Sequence, residues 1–206
     1  MKTNEVKNRN SICHREFIFT LAALKKMAMS EVTILDKTFT IMIPRKQIET
    51  RILEIARDLN AEYKDKNPVF IGVLNGAFLF MADLFRNIET PCEISFIRVS
   101  SYSGTESTGQ MKNVVGLSGN INNRHVIIVE DIVDTGETVS YLMQEISKHQ
   151  PASVKLATLL FKPQALKKQV AVDYAGFEIP PAFVVGYGLD YDGYGRNLQD
   201  IYVLKE

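Results

Sequence analysis

Two adjacent carboxylates, Glu130 and Asp131, precede a run of small polar residues, Asp134, Thr135, Gly136, Glu137 and Thr138. Together these are the residues of the chain whose types and spacing could do chemistry. A turn of this composition opening a helix points backbone N–H groups at an anion, and Thr135 and Thr138 add hydroxyl donors. A site meant for phosphate alone would not set two negative charges beside it. A ligand with a phosphate at one end and a sugar diol or a metal ion a few ångströms away explains both halves. A phosphorylated ribose has that form.

Positioning such groups takes a strand, a tight turn and a helix. Residues 126–129 are four consecutive β-branched residues, the pattern of a strand buried on both faces. Val139, Leu142, Met143 and Ile146 follow at helical spacing. The acids and the turn therefore stand at the carboxyl end of a parallel strand, where open α/β sheets bind ligands. A second unit of this kind is a strand at 69–74, Asn75-Gly76, and an apolar helix over 77–85. Its turn opens on the same edge, and Gly76 reads either as a tight βα turn or as a close approach of backbone to a second anion.

The other elements follow in order. Residues 32–43 form a short strand or extended arm. Pro44 opens a helix with Ile48, Ile52, Ile55 and Leu59 on one face, running to about Tyr63 and broken by Asn67-Pro68. Further strands are expected at 92–99, 153–160, more weakly 170–174, then 183–185 and 201–204. Residues 100–111 have no helical period and read either as a lid closed by Ser101 and Tyr102 or as a surface loop. Residues 186–197 form a Gly/Tyr loop carrying Asp190, Asp192 and Arg196. Strands alternating with helices predict a doubly wound, mainly parallel α/β sheet.

The chain has 206 residues, 46% hydrophobic and 23% charged, ordinary for one globular domain. A net charge of zero gives no support for nucleic acid as a partner. The balance is uneven, with six basic and two acidic residues in 1–30 and a net of −4 over the rest. Residues 17–24 form an apolar run too short to span a bilayer, so no membrane segment is expected. We read 1–30 as a dispensable extension outside a domain at 31–206; a weak amphipathic helix and an export signal are the alternatives. Cys13 and Cys92 are too few for a disulfide framework, which suits a reducing cytoplasm. A dinucleotide-dependent oxidoreductase is disfavoured because no three-glycine turn follows a strand.

Residues 129–138 resemble the phosphoribosyl-diphosphate motif of type I phosphoribosyltransferases. The further blocks at 74–76, Ser101-Tyr102, Lys162, 176–180, 183–187 and 189–191 narrow the resemblance to the hypoxanthine (hypoxanthine-guanine) phosphoribosyltransferases, from about Val32 to the C-terminus. The resemblance implies purine salvage: transfer of a phosphoribosyl group from phosphoribosyl diphosphate to hypoxanthine or guanine, with magnesium. It also implies a small hood lobe built from N- and C-terminal segments, and a homodimer or homotetramer in the cytoplasm.

By the same resemblance Glu130 and Asp131 would hold the ribose hydroxyls, directly and through magnesium, while Asp134 to Thr138 would wrap the 5′-phosphate. Asp134 would also take the proton from the base. Leu74, Asn75 and Gly76, Ser101 and Tyr102, and Arg196 would meet the diphosphate, with magnesium held through Asp190. Lys162 would donate to the 6-oxo group, Phe183 would stack on the purine, and Val184 and Asp190 would complete the base pocket. Many members carry lysine where this chain has Asn75, and Ala182 also stands where lysine is common. Diphosphate contacts would then rest on backbone, Arg196 and magnesium.

Taken residue by residue, simpler readings stand beside these. Asp134 with Glu137 forms a capping box, Glu130 and Asp131 a solvated strand end, Lys162 a surface residue, and Phe183 part of the core. Arg196 could pair with Asp190 or Asp192, and His125 and His149 read as structural. At the level of function the rivals are a regulator of this fold that binds nucleotides or RNA, and a phosphoribosyltransferase for xanthine or another base.

Overall fold

The computed structural model describes residues 31–101, 111–115 and 119–205. The expectations for residues 1–30 and Tyr102 lie outside the described residues, as does that for the Ser101 side chain.

Ten strands and three α-helices make up the described chain. In order they are β1 (Glu31–Ile34), β2 (Lys37–Ile43), α1 (Arg45–Glu62), β3 (Val69–Leu74), α2 (Phe78–Phe85), β4 (Glu93–Ser101) and β5 (Met111–Val115). There follow β6 (His125–Val133), α3 (Glu137–Ser147), β7 (Ser153–Phe161), β8 (Tyr174–Glu178), β9 (Val184–Val185) and β10 (Ile201–Leu204). Six strands form one sheet in the order β5-β4-β3-β6-β7-β8, parallel except for the β4–β5 pair. The sequence order reverses beside β3 and β6, and the two loops that leave those strands open on the same edge.

Strand periodicity explains the layers. Phe70, Ile127 and Val129 share a buried cluster with Ile48, Ile52, Phe80 and Leu84 of α1 and α2. Their neighbours Val69, Ile71 and Ile128 face the other way, into a cluster with Val139, Leu142 and Ile146 of α3. Both faces of the sheet are thus covered, as the doubly wound expectation requires. Each such buried aliphatic side chain contributes roughly 1.5–3 kcal/mol through loss of contact with water.

The hood is a second, antiparallel sheet in the order β1-β2-β10-β9, with Ile34, Phe39, Val185 and Tyr202 at its centre. It is joined to the main sheet at named points. The Tyr187 hydroxyl donates to Asp83 Oδ2 of α2 at 2.5 Å, and the Arg45 amide donates to Asp200 Oδ1 at 2.7 Å. At the open edge of the main sheet, Arg51 of α1 donates from Nη2 to the Ala175 carbonyl (2.8 Å) and from Nε to the Gly176 carbonyl (3.0 Å) of β8.

Several boundaries differ from expectation. The single arm over 32–43 is a hairpin, turned by Leu35 at φ 53° and Asp36. β4 begins after Cys92 and runs on to Ser101, and Met111–Val115 returns beside it as β5. The weak strand at 170–174 is displaced to Tyr174–Glu178, because only there does the chain reach the register of β7. No helix among the described residues is long and apolar enough to cross a membrane.

Candidate active site

The loop between β6 and α3 forms the floor of a cleft of about 230 Å³ lined by Glu130, Asp131, Asp134, Thr135, Gly136 and Thr138. Both acids lie within β6 rather than after it, Glu130 opposite Thr158 of β7. Glu130 is buried, and its Oε2 has no hydrogen-bond partner among the described residues. Burial, with Asp131 adding repulsion, pushes the Glu130 carboxyl well above its usual range. Burial also raises Asp131 to about 6, opposed by the Ile132 amide, which donates to Oδ1 at 2.8 Å, and by Arg196; Asp190 pushes the same way as burial. The solvated-strand-end reading of this pair does not survive. A buried acid oxygen without a protein partner is available to a ligand donor or a cation.

Asp134 is not a helix cap. Gly136, at φ 77°, is the N-cap of α3 and makes no side-chain cap bond, so the capping box does not form. Asp134 Oδ2 instead accepts from Lys162 Nζ at 2.7 Å. Lys162 is 7% exposed, which removes the surface-residue reading. The pair is fixed by backbone bonds between the loops: the Lys162 amide donates to the Val133 carbonyl, and the Lys167 and Lys168 amides to that of Thr135. A Cβ on Gly136 would meet the Lys168 carbonyl at 2.8 Å, so glycine is required by space as well as by φ. The Glu137 amide at the start of α3 donates to Thr135 Oγ1 at 3.4 Å, and the other first-turn amides have no acceptor within the helix.

The turn after β3 closes the cleft from the other side. The peptide between Leu74 and Asn75 is cis. Asn75 is exposed and Gly76 buried. A Cβ on Gly76 would lie 1.6 Å from Asp131 Oδ2, and one on Gly188 would lie 2.1 Å from the Gly76 carbonyl oxygen. Asp131, Gly76 and Gly188 are therefore packed in contact, Gly76 against the Asp131 side chain and Gly188 against the Gly76 backbone. Gly188 received no role from its sequence; only its contact with Gly76 reveals one.

Arg196 pairs with Asp190 rather than Asp192, Nη2 to Oδ1 at 2.6 Å, and also donates from Nη1 to the Gly188 carbonyl at 2.7 Å. The other Asp190 oxygen accepts from the Gly193 amide at 2.7 Å. This loop pair lies in electrostatic reach of Asp131. Val184 is buried in the cluster that also holds Leu160 and Ile179. Phe183 is 44% exposed, outside the core, with its ring against Phe39 and Tyr191. His125, bonded to Ser153 at 2.8 Å, and His149 stand at element ends away from the cleft, as expected.

Among the described residues no three acidic, cysteine or imidazole groups stand together as a metal cage. The side-chain donors lining the cleft are all oxygens, the carboxylates of Glu130, Asp131 and Asp134 and the hydroxyls of Thr135 and Thr138, and one of them, Glu130 Oε2, is unpartnered among the described residues. Such a set fits a hard cation that keeps several waters and takes its remaining ligands from substrate phosphates.

Residues 44–192 match the family model described as a phosphoribosyl transferase domain. The chain is 44% identical over 166 residues to the hypoxanthine-guanine phosphoribosyltransferase of Bacillus subtilis, covering 80% of this chain and 92% of that protein. It is 45% identical over 166 residues to the bifunctional protein TilS/HprT of Listeria innocua, spanning 80% of this chain but only 26% of that longer protein. Among solved structures, a hypoxanthine phosphoribosyltransferase from Staphylococcus aureus superimposes with a TM-score of 0.77 at 36% identity, covering 87% of this chain and 94% of that one.

Proposed function

Because the chain belongs to the phosphoribosyl transferase family, we propose that it joins hypoxanthine, and guanine, to the ribose of phosphoribosyl diphosphate, releasing diphosphate. The observation that carries the choice of base is the buried Lys162 ammonium 2.7 Å from the Asp134 carboxylate. An oxopurine presents its 6-oxo oxygen and N7 side by side on one edge. A donor and an acceptor in contact can engage both at once, Lys162 giving a hydrogen bond to the oxygen and Asp134 receiving the N7 proton. Adenine would set an amino donor against the ammonium, so that the base offers Lys162 no acceptor and two donors face each other.

In the reaction the base nitrogen forms a bond to C1′ as the C1′–O bond breaks, and the electron pair leaves with the diphosphate. Asp134 accepts the proton the base loses. The α3 amides, with Thr135 and Thr138, hold the 5′-phosphate, and Glu130 and Asp131 hold the ribose hydroxyls. Backbone at Leu74, Asn75 and Gly76, together with Arg196, faces the leaving group; Val184 and Phe183 bound the purine. Glu130, Asp131 and Asp190 would hold magnesium, which supplies positive charge where the diphosphate leaves. A homo-oligomer fits the exposed apolar side chains Leu53, Phe78 and Ile94, and sedimentation of the purified chain tests that assembly; the cytoplasm suits the small number of cysteines.

The deciding assay offers hypoxanthine, guanine, xanthine and adenine with phosphoribosyl diphosphate, with magnesium and with a chelator. We expect magnesium-dependent turnover of hypoxanthine and guanine, with adenine lower in kcat/KM by on the order of 10⁴. A protein inert toward every oxopurine would overturn the enzyme reading.

A further inference from the structure

The hairpin that begins the hood carries side chains that no step of the proposed reaction uses, and they meet beside Phe183. Asp36 and Lys37 stand at the β1–β2 turn. Asp36 Oδ1 accepts from the Tyr191 hydroxyl at 2.8 Å, and that bond holds the Asp36 carboxyl below its ordinary range, so the latch persists at neutral pH. The Tyr191 ring meets the Phe183 ring edge to face, 5.8 Å between centres and 85° between planes. Lys37 Nζ lies 4.8 Å from the centre of the Tyr191 ring and 5.8 Å from that of Phe183. Phe39, fully buried, supports both rings from beneath at 6.3 and 6.1 Å.

A phenyl ring as exposed as Phe183 would ordinarily turn among several rotamers and lose that freedom when a base stacks on it. Here an edge-to-face ring and a cation already restrict it. The restraint comes from two elements far apart in sequence, the hairpin and the 186–197 loop. A ring needed only for packing would be buried in the hood core, where Phe39 already sits.

We propose that Asp36, Lys37 and Tyr191 are positioning residues that hold the Phe183 ring at the angle at which a purine stacks on it. The proposal rests on the reading of Phe183 as the stacking residue. Binding of the base, but not of phosphoribosyl diphosphate, then depends on the first hairpin of the hood.

Steady-state kinetics of the full chain test this with Lys37→Met, which removes the cation, and Tyr191→Phe, which keeps the ring but frees it from Asp36. Each should raise KM for hypoxanthine roughly three- to fivefold, the size of one aromatic or cation–π contact. KM for phosphoribosyl diphosphate and kcat should stay within about twofold, since these residues touch neither reacting atoms nor phosphates. Lys37→Arg, which can still lie over the rings, should restore the wild-type KM. Equal rises in both KM values, or no rescue by arginine, would reduce the cluster to a merely structural latch and overturn the proposal. Phe183→Leu separates the two layers of argument. If it leaves KM for hypoxanthine unchanged, the stacking reading fails and the brace with it. If it raises that KM while Lys37→Met and Tyr191→Phe do not, the brace alone is wrong.

Discussion

Asp134 and Lys162 are in direct contact at 2.7 Å, and on the proposed reading each changes what the other can do. The carboxylate is held against the Lys162 ammonium, which lies in a place from which water is nearly excluded. Asp134→Asn keeps the shape and removes the proton acceptor. Its kcat should fall by about 10²–10⁴, the usual worth of a positioned base, while KM for phosphoribosyl diphosphate changes little. Unaltered turnover in single-turnover assays would remove the general-base role. Glu130 invites a different experiment. Its pKa is raised in the folded chain, so by linkage its contribution favours folding at low pH and is lost as pH climbs from the ordinary carboxyl range through the raised value. Asp131 follows the same sign, with its loss completed just above about pH 6. Glu130→Gln has no such dependence. At pH 7.5, without ligands, it should melt roughly 2–4 °C higher, corresponding to about 1 kcal/mol for a domain of this size, and the gap should close near pH 4. A gap independent of pH would mean that the buried carboxyl is not the source. Activity of this variant should be lower on the proposed reading, in which the unpartnered Glu130 oxygen meets the ligand.

Elements, not single residues, set the spacing of the site. The turn after β3 and the loop around Gly188 are locked face to face, and glycine is used at each for its own reason. A methyl on Gly76 would strike the Asp131 carboxylate, a side chain that can turn aside, so Gly76→Ala should fold and lose activity. Gly188 has φ of 101° and backbone in the way, so Gly188→Ala should lose about 2–4 kcal/mol, roughly 5–15 °C in melting temperature. Thermal melts beside activity assays distinguish the two, and the reverse ranking would sink this account. Much of this layout was legible in the chain. The β-branched run at 126–129 and the stripe Ile48, Ile52, Ile55 identify their elements because one period dominates each. Legibility failed where local signals are weak or the cause is remote. Leu35 turns the first hairpin without glycine or asparagine at its positive φ. β8 is an edge strand without a clean alternation of burial. Asp134 and Glu137 have cap spacing, yet Lys162, 28 residues on, takes the aspartate instead. Cooperation of that kind between distant loops leaves no periodic mark in a sequence.

At the scale of the whole molecule, two sheets share one chain, and the hood is made from both ends of the described residues. β2 and β10 pair across more than 150 residues, so the hood completes only after the last strand arrives. We take the folded unit to be residues 31–206. Removing residues 1–28 should leave both the melting temperature and kcat/KM unchanged within error; a truncated chain that fails to fold would refute that boundary. One feature of the main sheet bears on how the molecule behaves in company. β8 is an outer strand, and bare carbonyls along such a strand are a template onto which another chain can zip. Arg51 occupies those of Ala175 and Gly176 from the adjoining helix. Those two carbonyls are thus already engaged within the molecule and are not free to receive a neighbouring strand.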